Sequence, residues 1–257
     1  MKENIYVTGA IVLFEENLSD LHKTIECFLN MSVSNKKLFL IDNTPTRFFE
    51  YVFVNKNIEY IAIEENIGFG SAHNKIINKI RKNSDYHLIL NPDVSFKETV
   101  IPNLIVELKK DQNTAMIAPK VLFPSGKHQY SCRRYPLVSE LIARRFTFLE
   151  SIFKTTIYKG QYRDKDLNNA FSAEYLTGCF HLYKTDDFLK IQGFDERYFL
   201  YMEDVDICKK IDAIGKKKIY YPQEEIFHVL KQGSSKSIEL FFRHTSSAIK
   251  YFLKWGF

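Results

Sequence analysis

The 257-residue chain has no run of about eighteen apolar residues, so no segment reads as a membrane-spanning helix. It does not open on a basic stretch followed by an apolar run and a small-residue cleavage site, and a chain without a secretory leader is expected. Only four cysteines occur, Cys27, Cys132, Cys179 and Cys208, and no two have metal-ligand spacing. Reduced thiols in a cytoplasmic protein are therefore expected. There is no internal repeat and no low-complexity tract. A strong charge of one sign is also missing: 36 Lys and Arg against 31 Asp and Glu leave a net charge of +5. That is too mild for a nucleic-acid binder. It suits an anionic small substrate or an anionic membrane surface. The small basic clusters Lys216-Lys217-Lys218 and Arg144-Arg145 read as solvated faces.

What the chain does have is enough apolar residues, 45%, for one large domain, or one domain with a C-terminal extension. Strand and helix patterns alternate through the first third. Strands are expected over 5–14, 37–41, 58–63, 86–90 and from 115, with helices over 17–30, 71–81 and 99–109. This βα alternation predicts an α/β fold with a mostly parallel, doubly wound sheet and helices on both faces. Ligands of such sheets lie beyond the carboxyl ends of the strands, where Asp42, Asn66 and Asp93 fall. After residue 122 the pattern changes. A turn is expected at Pro124-Ser125-Gly126-Lys127, an irregular, mobile or partly helical insertion over 137–172, and a strand over 174–183. Thr185 is positioned to cap a short helix. A helix over 204–214 stops at Gly215, short strands follow at 218–221 and 226–230, and an aromatic, basic, amphipathic helix closes the chain at 238–257.

Two clusters stand out chemically. Asn91-Pro92-Asp93 closes a strand, and Tyr201-Met202-Glu203-Asp204-Val205-Asp206 opens a helix. Carboxylates so placed can hold a divalent cation, bind sugar hydroxyls or accept a proton. Each has a simpler account as well. Asn-Pro-Asp is a common turn, Asp42-Asn43 can merely start one, and acids in a first helical turn offset the helix dipole by about 0.3–1 kcal/mol. That last account leaves Phe199, Tyr201 and Gly193-Phe194-Asp195-Glu196 unexplained. Asn66-Ile67-Gly68-Phe69-Gly70 leads into a helix through Asn74, so backbone can approach a ligand there. It is no phosphate loop of the P-loop kind, because no Gly-Lys-Ser/Thr follows.

Taken in order, Asp42-Asn43, the 66–70 loop with Asn74, Leu90-Asn91-Pro92-Asp93, Gly193-Phe194-Asp195-Glu196, the Glu203-Asp204 pair and His228 resemble the family 2 inverting glycosyltransferases. The nearest resemblance is to the rhamnosyltransferase-like branch that builds bacterial surface polysaccharides. It runs from about residue 5 to 250 and implies a GT-A fold in one domain. A nucleotide-sugar-binding half would occupy 1–120, an acceptor-binding half 121–235 and the C-terminal helix 236–257. It further implies that Asp42 reads the base, and that Asn66, Gly68, Asn74 and Gly178 border the donor. Asp93 and His228 would hold Mg²⁺ or Mn²⁺. Asp204 would be the base that deprotonates the acceptor, with Glu203 beside it. Asn91 replaces the first acid of the family's Asp-x-Asp motif and would bond sugar or ribose, and one of Arg133 and Arg134 would reach the diphosphate. The implied partners are a dTDP- or UDP-linked sugar, with dTDP-rhamnose first, and a glycan or lipid-linked glycan acceptor. The final helix would lie on the inner face of the membrane, on the domain or on a second subunit. Asn91 keeps open a rival reading, a non-catalytic nucleotide-sugar-binding subunit on a degenerate scaffold. A sugar nucleotidyltransferase would need a basic, glycine-rich signature near the N-terminus, and residues 8–16 hold only Gly9 and no Lys or Arg.

Overall fold

The structure, a computed structural model, describes residues 5–47, 49–50, 52–139, 153–230 and 238–256. Strands β1 (Tyr6–Leu13), β2 (Asn35–Asp42), β3 (Ile58–Ala62) and β4 (Tyr86–Leu90) form a parallel set in the order β3-β2-β1-β4. Next to β4 the sheet takes in β10 (Phe180–Lys184), antiparallel, and then β6 (Thr114–Leu122). The long β11 (Lys217–His228) runs parallel to β6 and carries β5 (Val94–Phe96) on its far side, antiparallel. The short β8 (Phe171–Ser172) also pairs with β11, while β7 (Cys132–Arg133) and β9 (Tyr175–Leu176) make a separate two-stranded ribbon. A mostly parallel α/β sheet is what the βα alternation predicts.

Both faces are covered, as strands buried almost end to end require. One core packs α1 (Leu18–Asn30) and α4 (Val100–Lys110) on the sheet through Leu21, Ile25, Phe28, Leu104 and Leu108. The other gathers α2 (Phe69–Asn74), α3 (Ile77–Ile80), α6 (Thr185–Lys190), α7 (Glu203–Ala213) and α8 (Ile238–Trp255) around Ile76, Phe188, Phe194, Ile207 and Phe252. A seven-residue helix, α5 (Lys154–Gly160), falls in the insertion. Residues 140–152 of that insertion, with Arg144-Arg145, lie outside the described residues.

Several boundaries differ from the sequence reading. The helix expected over 71–81 breaks into α2 and α3 at Ile76, whose φ of −102° and ψ of 2° leave the helical basin. Thr185 does not cap α6; Lys184 holds that position, and the Thr185 hydroxyl bonds Ser84 instead, at 2.9 Å. The strand expected over 174–183 divides into β9 and β10 around Gly178. The two strands expected after 218 are one, β11, with a bulge between Tyr221 and Glu225.

Candidate active site

A cleft of about 510 Å³ lies beyond the carboxyl ends of β1, β2 and β4. That volume suits a small organic ligand. Pairing remote in sequence builds its walls. His228 stands opposite Val94 in the β11–β5 register, which brings it beside Asp93. The Asn91 N–H donates to the Cys179 carbonyl at 2.9 Å, and the Thr177 N–H to the Ser131 carbonyl at 2.9 Å. These two bonds draw the Gly178 loop and Arg133 to the same opening.

At one corner Asp93 Oδ1 faces His228 Nε2 at 3.2 Å, both side chains nearly buried. The histidine's proton placement follows from its neighbours. Gln129 donates its amide to the His228 carbonyl at 2.6 Å, so its oxygen faces His228 Nδ1 at 3.0 Å and must accept a proton from it. Nε2 is then left toward the carboxylate, where two acceptors in apposition need a proton or a cation between them. Burial would lower the His228 pKa, but the Cys179 thiol and the Asp93 carboxylate outweigh it and hold the ring up at about 10. One carboxylate and one imidazole, the imidazole oriented by an outer partner, fit a divalent cation that completes its shell with phosphate oxygens and water. Among the described residues no cluster of three or more His, Cys, Asp and Glu would hold a metal alone. Thr24 of α1 steadies this corner: its hydroxyl contacts the Pro92 and Val94 carbonyls at 2.8 and 2.7 Å and accepts the Val94 N–H at 3.1 Å.

At the opposite corner, Tyr201 and Met202 both have left-handed backbone, φ 69° and 67°. Non-glycine residues of this size rarely adopt it, and such strain concentrates at functional sites. The turn delivers the start of α7 into the cleft. Asp204 Oδ2 accepts from the Gly178 N–H at 3.1 Å and Oδ1 from the Val205 N–H at 2.8 Å, so the carboxylate is aimed by backbone. A Cβ on Gly178 would stand 3.2 Å from that of Asp204. Glu203 is buried, and its Oε2 has no hydrogen-bond partner among the described residues. Burial raises the pKa of both acids. The Asp204 charge raises Glu203 further, while the two N–H donors and Arg133 partly offset the rise at Asp204. The pair keeps a proton to higher pH than ordinary carboxylic acids do.

The third wall is the 66–70 loop. Asn66 Oδ1 accepts from the Gly68 N–H at 3.0 Å, and the Phe69 N–H donates to the Phe199 carbonyl at 3.0 Å. Gly68 has φ 89° and ψ 172°, a region open essentially to glycine alone. A Cβ there would lie 2.3 Å from the Phe199 carbonyl oxygen. Gly68→Ala is expected to cost at least about 2–3 kcal/mol, from strain plus the displaced backbone, with donor affinity lost in step. Urea unfolding and nucleotide titration check it, and wild-type values in both would refute it.

Nine of the eleven residues singled out from sequence line this cleft: Asn66, Gly68, Asn91, Asp93, Arg133, Gly178, Glu203, Asp204 and His228. Asp42 and Asn74 do not. Asp42 is fully buried and accepts from the Thr44 N–H at 2.8 Å and the Tyr60 hydroxyl at 2.6 Å. Asn74 is spent on the 193–196 turn, bonding the Phe194 N–H and carbonyl, each at 2.9 Å. Arg134 points away to Asp164. Asn43, Ser131 and Gln129, to which the sequence assigned no ligand role, also line the cleft. Asn43 Oδ1 and Ser131 Oγ are buried without a partner among the described residues, unmet polar atoms at a ligand site.

Residues 10–191 match the family model described as Glycosyl transferase family 2. The chain belongs to this family. The glycosyltransferase is 26% identical over 253 residues to Rhamnosyltransferase WbbL of Escherichia coli K12, covering 94% of this chain and 91% of that one. It is also 26% identical over 182 residues to an N-acetylglucosaminyl-diphospho-decaprenol L-rhamnosyltransferase of Mycobacterium tuberculosis, covering 67% of this chain and 59% of the relative. Among solved structures, GalNAc-T7, crystallised with UDP, GalNAc and Mn²⁺, superposes with a TM-score of 0.67 at 15% identity, over 89% of this transferase and 44% of that chain. The GT-A fold implied by the resemblance is the fold of this transferase.

Proposed function

We propose that this glycosyltransferase moves rhamnose, with inversion, from dTDP-rhamnose to a hydroxyl of a growing, lipid-linked bacterial glycan at the cytoplasmic face of the membrane. The observation that carries the reading is Asp204, aimed by two backbone N–H groups into the same cleft as the Asp93–His228 pair. The names of the two relatives supply the sugar, and the decaprenol of one supplies the lipid.

Asp204 accepts the proton of the acceptor hydroxyl as its oxygen attacks the anomeric carbon, and the bond from that carbon to the donor diphosphate breaks on the opposite face. Asp93 and His228 are the residues that would hold Mg²⁺ or Mn²⁺, which when bound neutralises charge on the departing diphosphate. Gln129 keeps the His228 imidazole turned for that task, and Thr24 keeps Asp93 there. Arg133 lies at the mouth, its Nε fixed by the Tyr130 carbonyl at 3.1 Å, and can meet a phosphate. Asn66, Asn91 and Gly178 border the sugar, and Asn43, next to the buried Asp42, offers the free carbonyl oxygen at the nucleotide end.

A panel of UDP-, dTDP- and GDP-sugars, with Mn²⁺ or Mg²⁺ and then with EDTA, tests the reading. Metal-dependent binding and slow hydrolysis of dTDP-rhamnose above the others are expected. A folded protein that binds none of them would restore the degenerate-scaffold reading.

A further inference from the structure

Ser131 stands just before β7, between Gln129 and Arg133, and all three residues line the cleft. The outer two side chains are engaged. Gln129 faces His228 with both ends of its amide, and Arg133 Nε donates to the Tyr130 carbonyl. Ser131 is only 4% exposed, yet its Oγ has no hydrogen-bond partner among the described residues. The backbone around it is clamped. The Gln129 N–H donates to the Val121 carbonyl at 2.9 Å, the Thr177 N–H donates to the Ser131 carbonyl at 2.9 Å, and Tyr130 between them is held at φ 51°. A buried hydroxyl left unmet lowers stability, so one kept at the wall of a cleft points to a ligand that completes it. Two other unmet polar atoms belong to residues lining the cleft, and both already have a place: Asn43 Oδ1 at the nucleotide end and Glu203 Oε2 in the acid pair.

We infer that Ser131 is a specificity residue whose hydroxyl bonds a ring hydroxyl of the sugar being transferred. Its place in the wall selects that partner. On one side Gln129 ties the segment to His228, and so to Asp93, the corner of the departing diphosphate. On the other side the Thr177 N–H ties it to the loop of Gly178, whose own N–H holds Asp204 Oδ2, the corner of the attacking hydroxyl. What lies between a departing diphosphate and an attacking hydroxyl is the sugar ring; this placement rests on the proposed transferase reading. The chemistry agrees. A phosphate is matched by a guanidinium, and Arg133 stands two residues away for that task. A serine hydroxyl both donates and accepts, as a sugar hydroxyl does. A buried site built to bond a hydroxyl also rejects a ligand that lacks it, because its own polar atom is then left unpaired.

The test compares the whole wild-type protein with Ser131→Ala in titrations of dTDP-rhamnose and of dTDP alone, with Mn²⁺ present, beside thermal unfolding of both proteins without ligand. Affinity for dTDP-rhamnose should fall about tenfold in the variant, and affinity for dTDP should stay at the wild-type value. The ligand-free variant should melt at or above the wild-type temperature, since a methyl group needs no partner. Equal weakening toward both ligands would give Ser131 to the diphosphate and overturn the inference. Unchanged affinity for dTDP-rhamnose overturns it too, as does a ligand-free variant that melts well below the wild type, the mark of a hydroxyl bonded within the fold. In each of those cases the wild type still binds the donor, and the transferase reading stands. A folded wild type that binds neither ligand fails that reading, and the inference falls with it.

Discussion

Asp204→Asn should bind the donor as the wild type does and lose transfer by about 10²- to 10⁴-fold. The substitution keeps size and leaves one oxygen to accept from Val205 or Gly178, so the start of α7 stays in place. What it removes is the acceptor for the hydroxyl proton. The pH profile makes the role specific. Burial and mutual repulsion raise the pair formed by Glu203 and Asp204, so wild-type transfer should climb as pH rises through the range where the pair sheds its proton. In the variant that limb should vanish from the residual rate. Glu203→Gln should lose less, because it leaves the aimed carboxylate. Steady-state kinetics across pH, with donor affinity measured separately, decides the matter. Near-wild-type turnover in Asp204→Asn would remove the residue from the mechanism.

The second large effect is acid unfolding driven by three histidines that no catalytic role explains. His73 on α2, His87 on β4 and His181 on β10 are fully buried. Burial lowers all three, His87 to about 3, His181 to about 4 and His73 well below its ordinary value, where the neighbouring imidazoles add to the effect. His181 is neutral by its bonds: Nε2 donates to the Leu176 carbonyl, and Nδ1 takes the Tyr183 hydroxyl. His73 has no partner among the described residues for either nitrogen and packs between Phe69 and Phe194. A group whose folded pKa is depressed gives stability that is present above its unfolded value, near 6.5, and lost as pH falls toward the folded value. Each costs about 1.4 kcal/mol per pH unit in that range. Glu203 and Asp204, raised in the fold, work against the loss, leaving a net of about 1–3 kcal/mol per pH unit. Against a typical stability of about 5–15 kcal/mol, cooperative unfolding is expected between about pH 3.5 and 5. Circular dichroism against pH measures it. His73→Leu should move the midpoint lower and match or exceed the wild type at pH 7. Coincident acid midpoints would show that this ring carries none of the dependence.

What sequence made visible was what is local. Strand β1 is where an apolar, β-branched run places it, and the helix expected from residue 17 begins there, capped by the Asn17 side chain on the Ser19 and Asp20 N–H groups. The two acidic clusters were visible because chemistry-bearing residues stood beside apolar runs. Hidden were features that long-range pairing creates. Gln129 matters only because β11 ends beside it, and Asn43 only because its neighbour Asp42 is turned inward. Asp206, which a helix-dipole account covers, in fact takes Lys254 and Trp255, each at 2.7 Å, and pins α8 to the back of α7. No periodicity in residues 203–214 announces a partner fifty residues later.

The place of β10 has a consequence for how the protein is made. It lies between β4 and β6, bonded to both, yet its residues are 180–184. A nascent chain of 122 residues already contains those two strands, but they are not neighbours in the sheet. The ribosome must deliver some sixty more residues before the middle of the sheet can close. Until then β4 is an open edge, the kind on which strands of other chains add. Splitting the gene after β6 would not yield two folding units, since the strand that joins β4 to β6 is encoded beyond the cut.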